Sequence, residues 1–142
     1  PIAHVIVLAL ENRSFDHMLG ACQAVKPEID GIPPGGAPRS NQFEGHSYPQ
    51  RDGAARILGE DPRHATPHVL VQLKPDAAGS PSGFVEDYAT SYPMLKDDAR
   101  HEVMRYHARG TLPACMRWRK TSPCATGGFP RCRGRPGPTA YS

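Results

Sequence analysis

Residues 4–10 read His4-Val5-Ile6-Val7-Leu8-Ala9-Leu10, and residues 11–14 read Glu11-Asn12-Arg13-Ser14. The first stretch is continuous, apolar and rich in β-branched residues. That is the pattern of a strand buried on both faces, as in a parallel α/β sheet. The second stretch breaks it with polar side chains. Phe15, Met18 and Leu19 then recur at i, i+3 and i+4, with Gly20 as a stop, which predicts one or two helical turns. The order is therefore strand, polar turn, short helix. In such folds polar residues at the carboxyl ends of buried strands are where sites form.

Glu11 and Asn12 stand at that end. A carboxylate and an amide oxygen are hard donors suited to a divalent cation. The same residues also suit a helix start without any ligand role, with Ser14 as the N-cap and Asp16 as a first-turn acid. Arg13 is expected to fix the turn by hydrogen bonds. His17 is placed either as a partner that orients a ligand or as a packing residue.

Beyond residue 20 the pattern weakens. Residues 27–53 carry Pro27, Gly31, Pro33, Pro34, Gly35, Gly36, Pro38, Gly45 and Pro49 and read as a long loop. A loop of that length is usually functional or belongs to a larger fold. Pro67 opens a helix reaching Leu73, with Val69, Leu70 and Leu73 on one face. Residues 74–83 read as loop, residues 83–88 as the opening of another short helix, and residues 98–107 as a helix with Val103, Met104 and His107 together. Cys22 is expected as a buried or half-exposed thiol. His46, His68, His101 and His107 follow no usable pattern.

The wording of residues 4–20, HVIVLALENRSFDHMLG, resembles the opening motif of the bacterial phosphoesterase family that includes phospholipases C and an acid phosphatase. Further segments follow in that family's order. Asp61-Pro62-Arg63-His64 with Val69, Gln72 and Leu73 looks like its DPxH segment. Gly83-Phe84-Val85 with Asp87 and Tyr88 looks like its GFVxDY segment. Residues 103–106 with Leu112 and Pro113 look like its VMxYY…LP segment. The resemblance covers residues 4–114.

It implies an α/β fold, the N-terminal fragment of an α/β/α sandwich similar to alkaline phosphatase, incomplete and loop-rich. It implies a hydrolase of phosphate ester bonds, with a phosphate ester or phospholipid as substrate. It implies a divalent metal ion held partly by Glu11 and Asn12, and completed by an Asp pair much later in the family's chains. It makes His64 an active-site residue that contacts the phosphoryl group or supports the metal. The family's nucleophile is a Ser or Thr near a PGPTxPNR-like segment. His107 stands where the family often has Tyr and is a departure, not a ligand.

The composition splits at the end of that resemblance. Residues 115–142 carry a charge of +6 with no Asp or Glu, and the first 114 residues carry −3. The tail also holds Cys115, Cys124 and Cys132 and the only Trp. Back-translation of residues 124–140, read in the neighbouring frame with suitable synonymous codons, gives VCDRWFSSVPGPTWPNR, the segment the family would have here. The same shift turns residues 115–123 into LHALAQDFA. A one-base deletion near the Ala114 codon is therefore expected, with residues 115–142 a non-homologous, disordered basic tail. On that reading Thr139 is not the nucleophile, which is absent from this frame. The tail cysteines need no metal role, and their spacing is not a CxxC zinc pattern. The basic tail is expected to attract phosphate polymers only weakly, without specific nucleic-acid recognition.

Two other readings stand beside the enzyme: an inactive remnant without independent function, and a small basic binding module. Ile, Leu, Val and Phe make up 24 of 142 residues, below the roughly 20% at which a packed core becomes doubtful. There is no 18-residue apolar run to span a membrane. No basic-then-apolar leader stands at the start, which makes a cytoplasmic location the default expectation, although the family is often exported.

Overall fold

A computed structural model describes residues 3–4 and 13–113 of the chain. The predicted strand at residues 4–10, Glu11, Asn12 and the tail at residues 115–142 lie outside the described residues, apart from His4 itself. The described part mixes short helices with two small open sheets, as befits a partial α/β fragment.

The first helix, α1 (Phe15–Leu19), starts where the sequence predicts. Ser14 is its N-cap: its Oγ accepts a hydrogen bond from the His17 backbone N–H at 3.2 Å. That satisfies one of the donors a helix start leaves open. The α-helix stops at Gly20, its C-cap, as the sequence predicts, but without a left-handed residue. The Gly20 backbone stays right-handed and leads into a 3₁₀ turn, Gly20–Ala24. The turn brings Cys22 against Ile29, with Phe15 and Leu19 packed on them, and Cys22 is fully buried.

The predicted loop at residues 27–53 contains a hairpin. Strands β1 (Ser40–Phe43) and β2 (His46–Pro49) pair antiparallel, with Phe43 opposite His46. The two-residue turn between them, Glu44-Gly45, has φ of 50° and 79°. Positive φ at both positions matches the twist of the flanking strands and is what glycine supplies without strain. A short strand β3 (Arg51–Asp52) follows and pairs in parallel with β4 (Arg105–Tyr106).

Helix α2 (Thr66–Gln72) opens with Pro67 in its first turn, as expected. Its predicted apolar face is not its buried face. Leu70 is 64% exposed, and Leu73 is also exposed. The face turned to α3 (Phe84–Ser91) carries His68 and Gln72, which both bond a buried carboxylate there. A buried carboxylate without donors is far costlier than an exposed Leu, so the polar face wins.

Gly83 is required where α2 and α3 meet. Its N–H donates to the Gln72 carbonyl at 3.2 Å, and a Cβ there would overlap the Val71 carbonyl. The N-terminus of α3 is capped from a distance: the buried Asn41 of β1 accepts from the Val85 N–H at 3.2 Å. Val85 then packs with Tyr48 and Met104, flanked by Phe43 and Val103.

The helix expected over residues 98–107 is shorter. Helix α4 (Asp97–Arg100) tightens into a 3₁₀ turn, His101–Met104, and β4 is extended. Pairing with β3 outweighs the local helical pattern, and Arg105 is tied to Asp98 at 2.7 Å and to the Gly53 carbonyl at 3.4 Å. His101 lies buried in the turn and donates through Nε2 to the Pro49 carbonyl at 2.6 Å. Among the described residues no helix is long and apolar enough to cross a membrane.

Candidate functional site

The polar turn ahead of α1 is held on three sides. The Arg13 guanidinium donates to His17 Nε2 at 2.8 Å and to the Arg56 carbonyl at 3.2 Å. The His17 carbonyl accepts the His107 N–H at 2.8 Å, and the two imidazoles meet edge to face with centroids 5.0 Å apart. A guanidinium only donates, so His17 Nε2 accepts and the proton of its neutral ring sits on Nδ1. Burial, then the Arg13 charge, then His107 push the His17 pKa below the ordinary histidine value. Burial and Arg13 lower that of His107 as well. Both pack against this turn; His17 orients Arg13, and the His107 backbone, just after β4, is tied to α1.

Glu11 and Asn12, which directly precede this turn, lie outside the described residues. Their oxygen donors have the chemistry a hard divalent cation takes. Among the described residues there is no group of three or more His, Cys, Asp and Glu side chains able to hold a metal ion.

His64 is exposed, at the end of a segment whose backbone is held at three carbonyls. Tyr88 Oη donates to the Glu60 carbonyl at 2.9 Å and Tyr92 Oη to the Asp61 carbonyl at 2.8 Å. Gln72 Nε2 donates to the Arg63 carbonyl at 2.9 Å. The Arg63 guanidinium lies 4.9 Å over the Tyr92 ring. So α2 and α3 fix the path of the chain up to the residue before His64. The segments with family-like wording at residues 61–73 and 83–88 are in contact through the bonds of His68 and Gln72 to Asp87.

Behind that segment, Asp87 Oδ1 accepts from His68 Nδ1 and Oδ2 from Gln72 Nε2, both at 2.7 Å. Neither Asp87 nor His68 stands out in the sequence as a functional residue. The available signal is the spacing of His68 and Gln72, which at i and i+4 share a helix face. A cavity of about 210 Å³ opens nearby, lined by Ile57, Glu60, Tyr88, Asp98, Glu102 and Arg105 among others. His64 and His68 are not among its lining residues. The segment linking Arg13 to His64 is continuous: the Arg56 carbonyl holds Arg13, and the Glu60 carbonyl is held by Tyr88.

Comparison with known proteins agrees with the wording of the motifs. The model of the Phosphoesterase family matches residues 2–121, which reaches past Ala114. Non-specific phospholipase C3 of Arabidopsis thaliana is 31% identical over 151 residues, covering 89% of this chain and 28% of the relative. Non-specific phospholipase C4 of the same plant is 28% identical over 154 residues, covering 89% and 27%. Non-specific phospholipase C1, also from Arabidopsis, is 53% identical over a shorter 32-residue stretch, covering 22% of this chain and 6% of the relative. The chain thus spans just over a quarter of the length of the two relatives it matches most extensively.

Proposed function

Because the chain belongs to the phosphoesterase family, we propose that it is the N-terminal part of a metal-assisted hydrolase of phosphate ester bonds, of the phospholipase C kind. The match over residues 2–121, with relatives named as phospholipases C, carries this reading. The capped turn at Arg13 and Ser14 and the held backbone before His64 support it.

Glu11 and Asn12 would supply oxygen donors to a divalent ion. When bound, that ion polarises a phosphoryl oxygen and lowers the pKa of the nucleophile. Arg13, held by His17, fixes the turn that directly follows those two residues in the chain. His64 meets the phosphoryl group from a backbone that α2 and α3 keep in place, so little reorganisation is needed when substrate arrives. The nucleophile, a Ser or Thr hydroxyl, attacks phosphorus in line, the P–O bond to the alcohol breaks and the alcohol leaves with a proton, and water then cleaves the phospho-enzyme to release the phosphate product and the free hydroxyl. The nucleophile is encoded in the neighbouring frame, after a one-base deletion near the Ala114 codon. The 142-residue chain is therefore inactive by itself.

Two measurements test this. The nucleotide sequence after the Ala114 codon should encode VCDRWFSSVPGPTWPNR in the neighbouring frame; any other reading there removes the deletion. The protein translated through that frame to its natural stop should hydrolyse phosphatidylcholine with a divalent metal present. Glu11→Ala should lower that rate by about 10³-fold or more, the scale of losing a principal electrostatic contact to the transition state. Metal-dependent hydrolysis by the 142-residue chain, lost in Glu11→Ala, would overturn the inactivity.

A further inference from the structure

Asp87 is the one buried carboxylate among the described residues, 3% exposed, and each of its oxygens has a donor. Gln72 already ties α2 to it and spends its second N–H on the Arg63 carbonyl. His68 adds something that Gln72 does not. Its Nδ1 is committed to the carboxylate at 2.7 Å, and its side chain remains 37% exposed. The ring orientation is fixed, and Nε2 is the nitrogen left to act outward. A buried carboxylate behind Nδ1 is the arrangement that sets an imidazole's orientation for work at the other nitrogen.

We propose that His68 is a second imidazole of the phosphate-ester site, with Nε2–H donating to a phosphoryl oxygen and Asp87 as its positioning residue. This rests on the reading of His64 as the phosphoryl-site histidine. His68 follows it by four residues, on the helix whose Gln72 holds the carbonyl immediately before His64. Asp87 thereby governs both imidazoles, one directly and one through Gln72. Because Nδ1 already donates to Asp87, an Nε2–H contact is made by the doubly protonated ring, and charge-assisted bonds of that kind are the stronger ones.

The test uses the full 142-residue chain labelled with ¹⁵N, with inorganic phosphate as the probe and imidazole NMR signals as the readout. The expected result is that His64 and His68 shift along one saturation curve, while the exposed His46 does not. His68→Gln should weaken phosphate binding, read at His64, by about tenfold with the circular dichroism spectrum unchanged. Asp87→Asn should remove the Nδ1-protonated signature of His68 and weaken phosphate binding to a similar degree. A His64 shift without a His68 shift, silence at both, or unchanged affinity in His68→Gln would overturn the proposal. None of these touches the hydrolase reading, which is decided separately by phosphatidylcholine turnover and Glu11→Ala.

Discussion

At the scale of single residues, the tightest constraint is Gly83. Any side chain there meets the Val71 carbonyl, so the start of α3 must move away from the end of α2. Gly83→Ala is expected to cost about 1–3 kcal/mol, the usual range for overpacking, read as a lower urea midpoint at unchanged slope. Gln72→Ala leaves a buried carboxylate oxygen and the Arg63 carbonyl each short of a donor. It should cost about 1–3 kcal/mol and speed amide exchange at residues 61–64. Ser14 and Asp16 were legible in the sequence because capping is a local rule of adjacent residues. Asp87 and His68 were not: they stand 19 residues apart, and no periodicity relates them. The stretch around Gln72 and Asp87 was legible only as wording, by its resemblance to a family, with no hint of the bonds between the two side chains.

At the scale of elements, short-range signals located the helices better than the strands. Phe15–Leu19, Thr66–Gln72 and Phe84–Ser91 each begin beside a cap, a proline or a glycine with a recognisable mechanism. The hairpin was hidden because Ser40–Phe43 reads Ser-Asn-Gln-Phe, without β-branched residues, amid prolines and glycines. Its cue was Glu44-Gly45, a two-residue turn sequence. Its worth lies in what it carries to α3. Asn41→Ala should cost about 1 kcal/mol, as for loss of a helix cap, and should raise amide exchange at Val85 before other positions of α3. The stretch at residues 98–107 shows the opposite failure. Its helical spacing is real, but two residues of pairing to β3 and the bonds of Arg105 draw the chain out of the helix. The ion pairs around Asp98 are largely exposed and add little beyond this.

At the scale of the whole molecule, the described residues form two apolar clusters. Cys22 and Ile29 form one cluster, and Tyr48, Val85 and Met104 form another. Some of the polar contacts among the described residues titrate. His17 and His107 bind protons less readily when folded than when unfolded. Below about pH 6.5 the unfolded chain takes up those protons first, so stability should fall between pH 7.5 and pH 5.5. Urea midpoints across that range should drop, and the double variant His17→Gln, His107→Gln should flatten the slope.

The parallel pairing of Arg51–Asp52 with Arg105–Tyr106 joins chain positions on either side of α2 and α3. The His101 bond to Pro49 and the Tyr48 bond to Asp97, at 3.2 Å, fasten the same seam. The surface turn at residues 76–80 lies between the two sides of that seam, closed by its own Asp76 bonds. A protease nick there would leave two polypeptides still clasped to one another.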